Sequence, residues 1–172
     1  MLSFRTALMG DIHQVFADLS SISAAEVRRD CGNWWNALPK VQELLQLPDA
    51  QTDVLVDEHD RALAIFGHYP SENRNVRTTW FVFSQGFVDR GLAATLACKR
   101  RVKLLRTFYP AVSFHSYTAS DHWERSRWFS LLDFHYIGTT ADGDHHYILT
   151  EIDKSRDVGA VGRYKPTNPR AS

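Results

Sequence analysis

Residues 78–106 read TTWFVFSQGFVDRGLAATLACKRRVKLLR, and the order of elements in this stretch decides the fold. Thr78–Phe83 is apolar and β-prone, the composition of a central strand. A glycine-bearing turn at Gln85–Gly91 follows. Gly91, Ala94, Thr95, Cys98, Val102 and Leu105 then share one face of a helix running from about Val88 to Arg106. Several of these residues are small, which permits close approach to a sheet. A strand that feeds a helix start through such a turn presents backbone amides to an anionic ligand. Lys99, Arg100, Arg101, Lys103 and Arg106 cover much of the remaining helix surface. A solvated face with favourable C-terminal charge accounts for them before a dedicated anion site does.

Downstream, Ala111–Tyr117 alternates as a strand. Asp121 and Glu124 form the capping pattern of a helix over Trp123–Leu132. Phe134–Gly138 and His145–Ile152 read as the last two strands, joined by the turn Thr139–Asp144. Upstream, Leu2–Thr6 reads as a first strand. Asp11 is placed to cap a helix over Ile12–Leu19, with Ile12, Val15, Phe16 and Leu19 on one face. Ser23 and Glu26 form a capping-box pattern for a short helix stopping near Gly32. Asn33, Trp34, Trp35 and Asn36 read as an aromatic loop. Pro39 suits the first turn of the next helix, which carries Val41, Leu44 and Leu45 and ends at Pro48. Thr52–Asp57 and Ala62–His68 read as a hairpin turning through Glu58–Arg61.

The chain has 172 residues, enough for one domain with a core. Its 20 basic and 20 acidic residues cancel, so no global field draws it to nucleic acid. No stretch approaches the roughly 20 apolar residues of a membrane span, and the N-terminus has too little apolar length for a signal peptide. Cys31 and Cys98 lie far apart without metal or redox spacing, which fits a reducing compartment better than a disulfide framework. Asp153–Ser172 differs from the rest. It is rich in Gly, Pro, Asn and Arg, with five basic residues (Lys154, Arg156, Arg163, Lys165, Arg170) against two acidic ones (Asp153, Asp157). The reading is a domain over 1–152 and an extended basic arm over 153–172, a frayed terminus being the plainer alternative.

Eight histidines invite a metal reading, but their spacing does not support one. His145 and His146 are adjacent and point to opposite faces of a strand. His115, His122 and His135 lack ligand spacing, so no metal site is expected. Cys98 sits mid-helix on an apolar face, and there is no nucleophile elbow, which argues against a nucleophilic hydrolase. His122, Arg125 and Arg127 could contact an anion near their helix start, although surface solvation explains them as well. Trp34, Trp35, Trp123 and Trp128 could anchor a protein interface. For Trp128 and Phe129, packing of the last helix on the sheet is the stronger reading.

This order of elements resembles the GNAT family of N-acetyltransferases over Met1–Ile152. SFRTALMGD looks like the family's opening strand and first helix, and RSRWFSLLDFHYIG like its penultimate helix and following strand. TTWFVFS, the basic helix and SRWFSLLDFHYIG together look like small GNAT-like proteins of podoviruses, described as internal virion proteins or acetyltransferases. The resemblance implies an α/β (α+β) three-layer fold. A mixed, mostly antiparallel sheet of six or seven strands would be flanked by helices. It implies acyl-CoA lying in an opening between two central parallel strands, Thr78–Phe83 and Ala111–Tyr117. The pyrophosphate would sit at the start of the basic helix. A bulge in the first strand would hold the thioester carbonyl, its amide serving as an oxyanion donor. The cofactor-contacting positions so implied are Phe83, Ser84, Arg90, Gly91, Leu92, Ala93, Ala94 and Thr95.

The departures from the family pattern are specific. Arg90-Gly91-Leu92-Ala93-Ala94-Thr95 stands where the family has Gln/Arg-x-x-Gly-x-Gly/Ala, so Ala93 and Thr95 replace two small-residue positions. Phe129 occupies the position of a proton-donating tyrosine, and Asp133 that of a glycine. Tyr117 and Tyr136 lie in strand context nearby without matching the motif. The strand Thr78–Phe83 carries no carboxylate. Glu58 and Asp57 at the hairpin are the candidate bases, acting through water. Two readings follow. One is a phage-type GNAT-fold protein with degenerate catalysis, a virion-associated accessory protein of the host cytoplasm or virion. It would bind other proteins through Trp34, Trp35 and the C-terminal arm. The other is an active acyl-CoA-dependent N-acetyltransferase acting on an amine of a protein or small molecule, with acetyl-CoA as the acyl donor.

Overall fold

A computed structural model describes residues 1–119 and 123–150. The C-terminal arm and the Asp121 cap lie outside them. Among the described residues, seven strands form one sheet: β1 (Ser3–Thr6), β2 (Gln51–Val56), β3 (Ala62–Pro70), β4 (Val76–Phe83), β5 (Ser113–Thr118), β6 (His135–Thr139) and β7 (His145–Leu149). Their order is β1-β2-β3-β4-β5-β7-β6. Every pairing is antiparallel except β4 with β5. Those two parallel strands need a crossover, supplied by the long helix α4 (Gln85–Phe108).

Three helices precede the hairpin: α1 (Met9–Ala17), α2 (Ser21–Cys31) and α3 (Trp34–Gln46). Ile12, Val15 and Phe16 of α1 and Ala37, Leu38 and Val41 of α3 join Val54 and Ile65 in one core. On the opposite sheet face, Phe66, Phe81, Phe83 and Phe114 meet α4 and α5 (Trp123–Leu131) in a second. The three-layer α/β arrangement is the expected one. Strand β3 is covered on both faces, so its residues Ala62–Phe66 are all apolar. The predicted small face of the long helix is realised: Ala94, Thr95, Cys98, Val102 and Leu105 are buried, while Gly91 is not.

Several local expectations are corrected. Helix α1 begins before Asp11, at Met9, and the Asp11 carboxylate accepts the Leu8 N–H at 2.8 Å from the third helical position. Arg5 grips the same carboxylate at 2.7 and 2.8 Å. Ser20, not Ser23, caps α2, accepting the Ser23 N–H at 3.3 Å. The Ser23 hydroxyl is drawn away to accept the Phe83 N–H at 3.0 Å. Residues 34–36 are helical, not a loop, because the Asn33 side chain caps α3 by accepting the Asn36 N–H at 2.9 Å. Pro39 consequently lies inside that helix rather than in its first turn. The expected bulge in β4 does not occur on its β3 side, where the register runs unshifted from Ala64↔Phe83 to Pro70↔Arg77.

Candidate functional site: the opening between the parallel strands

The parallel pairing of β4 and β5 covers only Val76–Thr79 against Ser113–Ser116. Beyond it, Trp80–Phe83 have no partner on β5. The end of β4 is held instead by α2. The Phe83 N–H goes to the Ser23 hydroxyl, and the Phe83 carbonyl accepts the Ser20 N–H at 2.9 Å. Backbone polar groups alternate sides along a strand. The Phe81 N–H and C=O therefore face the same open edge, one step inward.

Two cavities flank this opening. The larger, about 490 Å³, lies beside Phe83, Phe87, Gly91, Thr95, Arg125 and Trp128. The smaller, about 240 Å³, is lined on the α2–α3 side by Glu26, Asp30, Trp80, Tyr117 and Thr118 among others. Arg125 borders both. It rises from α5, and its guanidinium carbon lies 5.0 Å from the Phe83 ring centroid and 5.8 Å from that of Phe129. Through the opening it donates Nη2 to the Glu26 carboxylate, which also accepts the Thr118 hydroxyl. Arg125 is 5% exposed. Burial holds its pKa below the ordinary guanidinium value, against the opposing pull of Glu26. Its Nε and Nη1, and the Trp128 Nε1, are fully buried and have no hydrogen-bond acceptor among the described residues.

Helix α4 is broken near its start. Gly91 has φ 47° and ψ −117°, torsions a Cβ disfavours, and no atom lies within 4 Å of where a Cβ would stand. The glycine is therefore required by the backbone turn and not by crowding. Its carbonyl accepts the Thr95 hydroxyl at 3.2 Å.

The expected site residues divide. Phe83, Gly91 and Thr95 line the larger cavity, whereas Ser84, Arg90, Leu92, Ala93 and Ala94 do not. Ser84 caps α4, accepting the Phe87 N–H at 3.2 Å, and Ala94 is core. Arg90 turns away to pair with Asp57 at 3.1 Å and Glu58 at 3.3 Å. Leu92 is 67% exposed. Glu58 lines neither cavity. Its own backbone N–H and the Met1 ammonium hold its pKa below the usual carboxylate range, opposite to what a general base requires. Phe129 is 1% exposed and stacks on Tyr147 at 4.4 Å. The Cys98 thiol is pushed up to about 12 by burial and is inert.

Among the other candidates, His115 and His146 contact each other at 3.0 Å. No group of three His, Cys, Asp or Glu among the described residues could hold a metal ion. Nor is any described helix long and apolar enough to cross a membrane. Trp35 is 63% exposed and stacks on Trp34 at 3.6 Å. Glu26 was hidden in the sequence because Ser23-x-x-Glu26 matches a capping box. Arg125 was visible as a cation near a helix start, but nothing local marked it as buried.

No protein-family model matches the chain, and no curated protein matches its sequence. Solved structures match it by shape. The aminoglycoside acetyltransferase AAC(6')-Ib, in complex with coenzyme A and kanamycin, superposes with a TM-score of 0.63 at 13% identity, covering 88% of this chain and 95% of that one. An acetyltransferase from Thermus thermophilus gives 0.65 at 14% identity, over 87% and 96%. A GNAT-family acetyltransferase from Bacillus anthracis gives 0.65 at 9% identity, over 87% and 94%. With seven strands in one sheet, helices on both faces and a single parallel pair that separates at its end, the chain has the fold of the GNAT acetyltransferases.

Proposed function

We propose that this chain is an acyl-CoA-dependent N-acyltransferase. The observation that carries the reading is the separation of β4 from β5 beyond Thr79 and Ser116, with a cavity on each side. The larger cavity falls within the ~300–1,000 Å³ usual for small-molecule sites. The backbone after Gly91 would receive the pyrophosphate, and Phe83, Thr95 and Trp128 would enclose the thioester arm. Acyl-CoA, when bound, supplies the acyl group as a thioester.

The protein's own contribution is positional and electrostatic. The Phe81 N–H faces the opening, where it would donate to the carbonyl oxygen as that oxygen gains negative charge. The amine would enter from the smaller cavity. Its nitrogen bonds to the acyl carbon, the carbon–sulfur bond breaks, the amine loses one proton and the sulfur gains one. Each carboxylate lining that cavity among the described residues is already paired: Glu26 with Arg125, and Asp144 with Arg29, which also holds Asp30. Proton removal therefore falls to water. Phe129 carries no hydroxyl, so the thiolate is protonated from solvent.

Titration calorimetry with acetyl-CoA tests the reading. Micromolar binding is expected, and Gly91→Ala should weaken it by about tenfold while costing about 1–2 kcal/mol of stability in urea melts. No binding at millimolar ligand would overturn it. That outcome would favour the second reading, an accessory protein that has kept the fold and lost the chemistry. Its specific support is Phe129 in place of a tyrosine, Arg90 tied to Asp57 and Glu58, and Trp35 exposed beside Trp34. The virion role within that reading comes from the resemblance alone.

A further inference from the structure

We propose that the acceptor is a small primary amine carried on an aromatic ring by a short chain, an arylalkylamine. The inference rests on the acyltransferase reading and adds the class of acceptor. The last residues paired between the parallel strands are Thr79 and Ser116. The first residue beyond them on each strand is aromatic: Trp80 on β4 and Tyr117 on β5. Trp80 packs with the α1–α3 core and so lies on that face of the sheet. Phe114 belongs to the opposite core, and Tyr117, three residues on, points away from it to the same face as Trp80. Both residues line the smaller cavity. Part of each ring is already covered: the Trp80 indole lies over Gly67, and Tyr117 stacks on His146 at 4.4 Å. Tyr117 is nevertheless 45% exposed and Trp80 partly so, which leaves ring surface within reach of a ligand.

Two rings at the point where the strands part favour an acceptor with a flat apolar body, because aromatic pairs gain from their geometry beyond the area they bury. The charges around the cavity argue against a polycation. Among the described residues, three carboxylates and three cations line it, and they cancel. Arg125 and Arg29 engage all three carboxylates. Lys40 is exposed and donates to the Asp30 main-chain carbonyl at 3.0 Å, so its charge would repel a second positive charge on the acceptor. The volume, about 240 Å³, lies below the ~300–1,000 Å³ of drug-sized sites and suits one ring on a short chain. With the ring beside Trp80 and Tyr117, the amino group would stand at the opening, next to the Phe81 N–H that would hold the thioester carbonyl. The amine nitrogen then bonds to the acyl carbon, the carbon–sulfur bond breaks, water takes the amine proton and solvent protonates the thiolate.

The test follows coenzyme A release from acetyl-CoA by the full chain with phenethylamine, tryptamine, spermidine and a lysine-containing peptide. The kcat/KM for the two aromatic amines should exceed that for spermidine and the peptide by about tenfold or more. Tyr117→Leu keeps an apolar side chain at an exposed strand position and removes the ring. It should raise KM for phenethylamine about fivefold at unchanged kcat and leave KM for spermidine as it was, with circular dichroism checking the fold. An unchanged KM for phenethylamine in that variant overturns the acceptor inference. So does turnover of spermidine or the peptide as fast as the aromatic amines, or no transfer to either aromatic amine by protein that binds acetyl-CoA in calorimetry; these outcomes leave the acyltransferase reading standing. Failure to bind acetyl-CoA overturns both.

Discussion

His68 illustrates how far one residue's chemistry depends on its surroundings. It is 1% exposed, accepts the Arg77 Nε–H at 2.8 Å on Nδ1, and meets the edges of Tyr109 and Phe114 at 5.6 Å. Burial, reinforced by the Arg77 and Arg101 charges, lowers its pKa to about 3. In the unfolded chain the ring titrates near ~6.5. Below that value the unfolded state binds a proton that the folded state refuses. This contribution to stability is therefore complete above pH ~6.5 and falls away as pH drops toward the folded value. Urea midpoints should decline through that window, and the His68 ring resonances should stay unshifted between pH 7 and about pH 4. A ring titrating near its ordinary value would contradict the buried neutral state. In the sequence His68 is only the end of an apolar strand. Its partner Arg77 comes nine residues later, across a hairpin whose register no local pattern fixes.

At the level of elements, the long helix and the strands were legible because their periodicity extends over many residues. Helix starts were not, because the groups that cap them also have long-range partners. Ser23 has the right spacing to Glu26 for a reciprocal cap, yet its hydroxyl serves the end of β4 and Glu26 serves Arg125. The strand pair β3–β4 carries a constraint of the same non-local kind. Gly67 lies opposite Trp80, and a Cβ on Gly67 would stand 2.2 Å from the indole. The indole thus needs a side-chain-free strand position beneath it, and a glycine in mid-strand is otherwise unfavourable. Gly67→Ala should force Trp80 from its place and destabilise by about 1–3 kcal/mol in urea titrations. Tryptophan fluorescence should shift with it. A variant as stable as the parent would mean that Trp80 has other room. Because Trp80 lines the smaller cavity, the same change tests whether that wall is rigid.

Across the whole molecule, the two helical layers contact opposite faces of the sheet and have separate cores. The opening between β4 and β5 is where they meet through it. Arg125 belongs to the α4–α5 layer and Glu26 to the α1–α3 layer, so their ion pair ties the layers at the site itself. The fold was readable from the strand–helix–strand order, but this tie was not. It joins residues 99 positions apart, one disguised as a helix cap and the other as a surface cation. Its energetics are distinctive. Removing one member of a buried pair strands the other charge, so Glu26→Gln and Arg125→Met should each destabilise by about 3–5 kcal/mol. Removing both leaves no stranded charge. The double variant should therefore be more stable than the sum of the single losses predicts, with a coupling of roughly 1–3 kcal/mol from a urea-denaturation cycle. If the two losses simply add, the pair does not hold the layers together, and packing of Phe83, Trp128 and Phe129 does so alone.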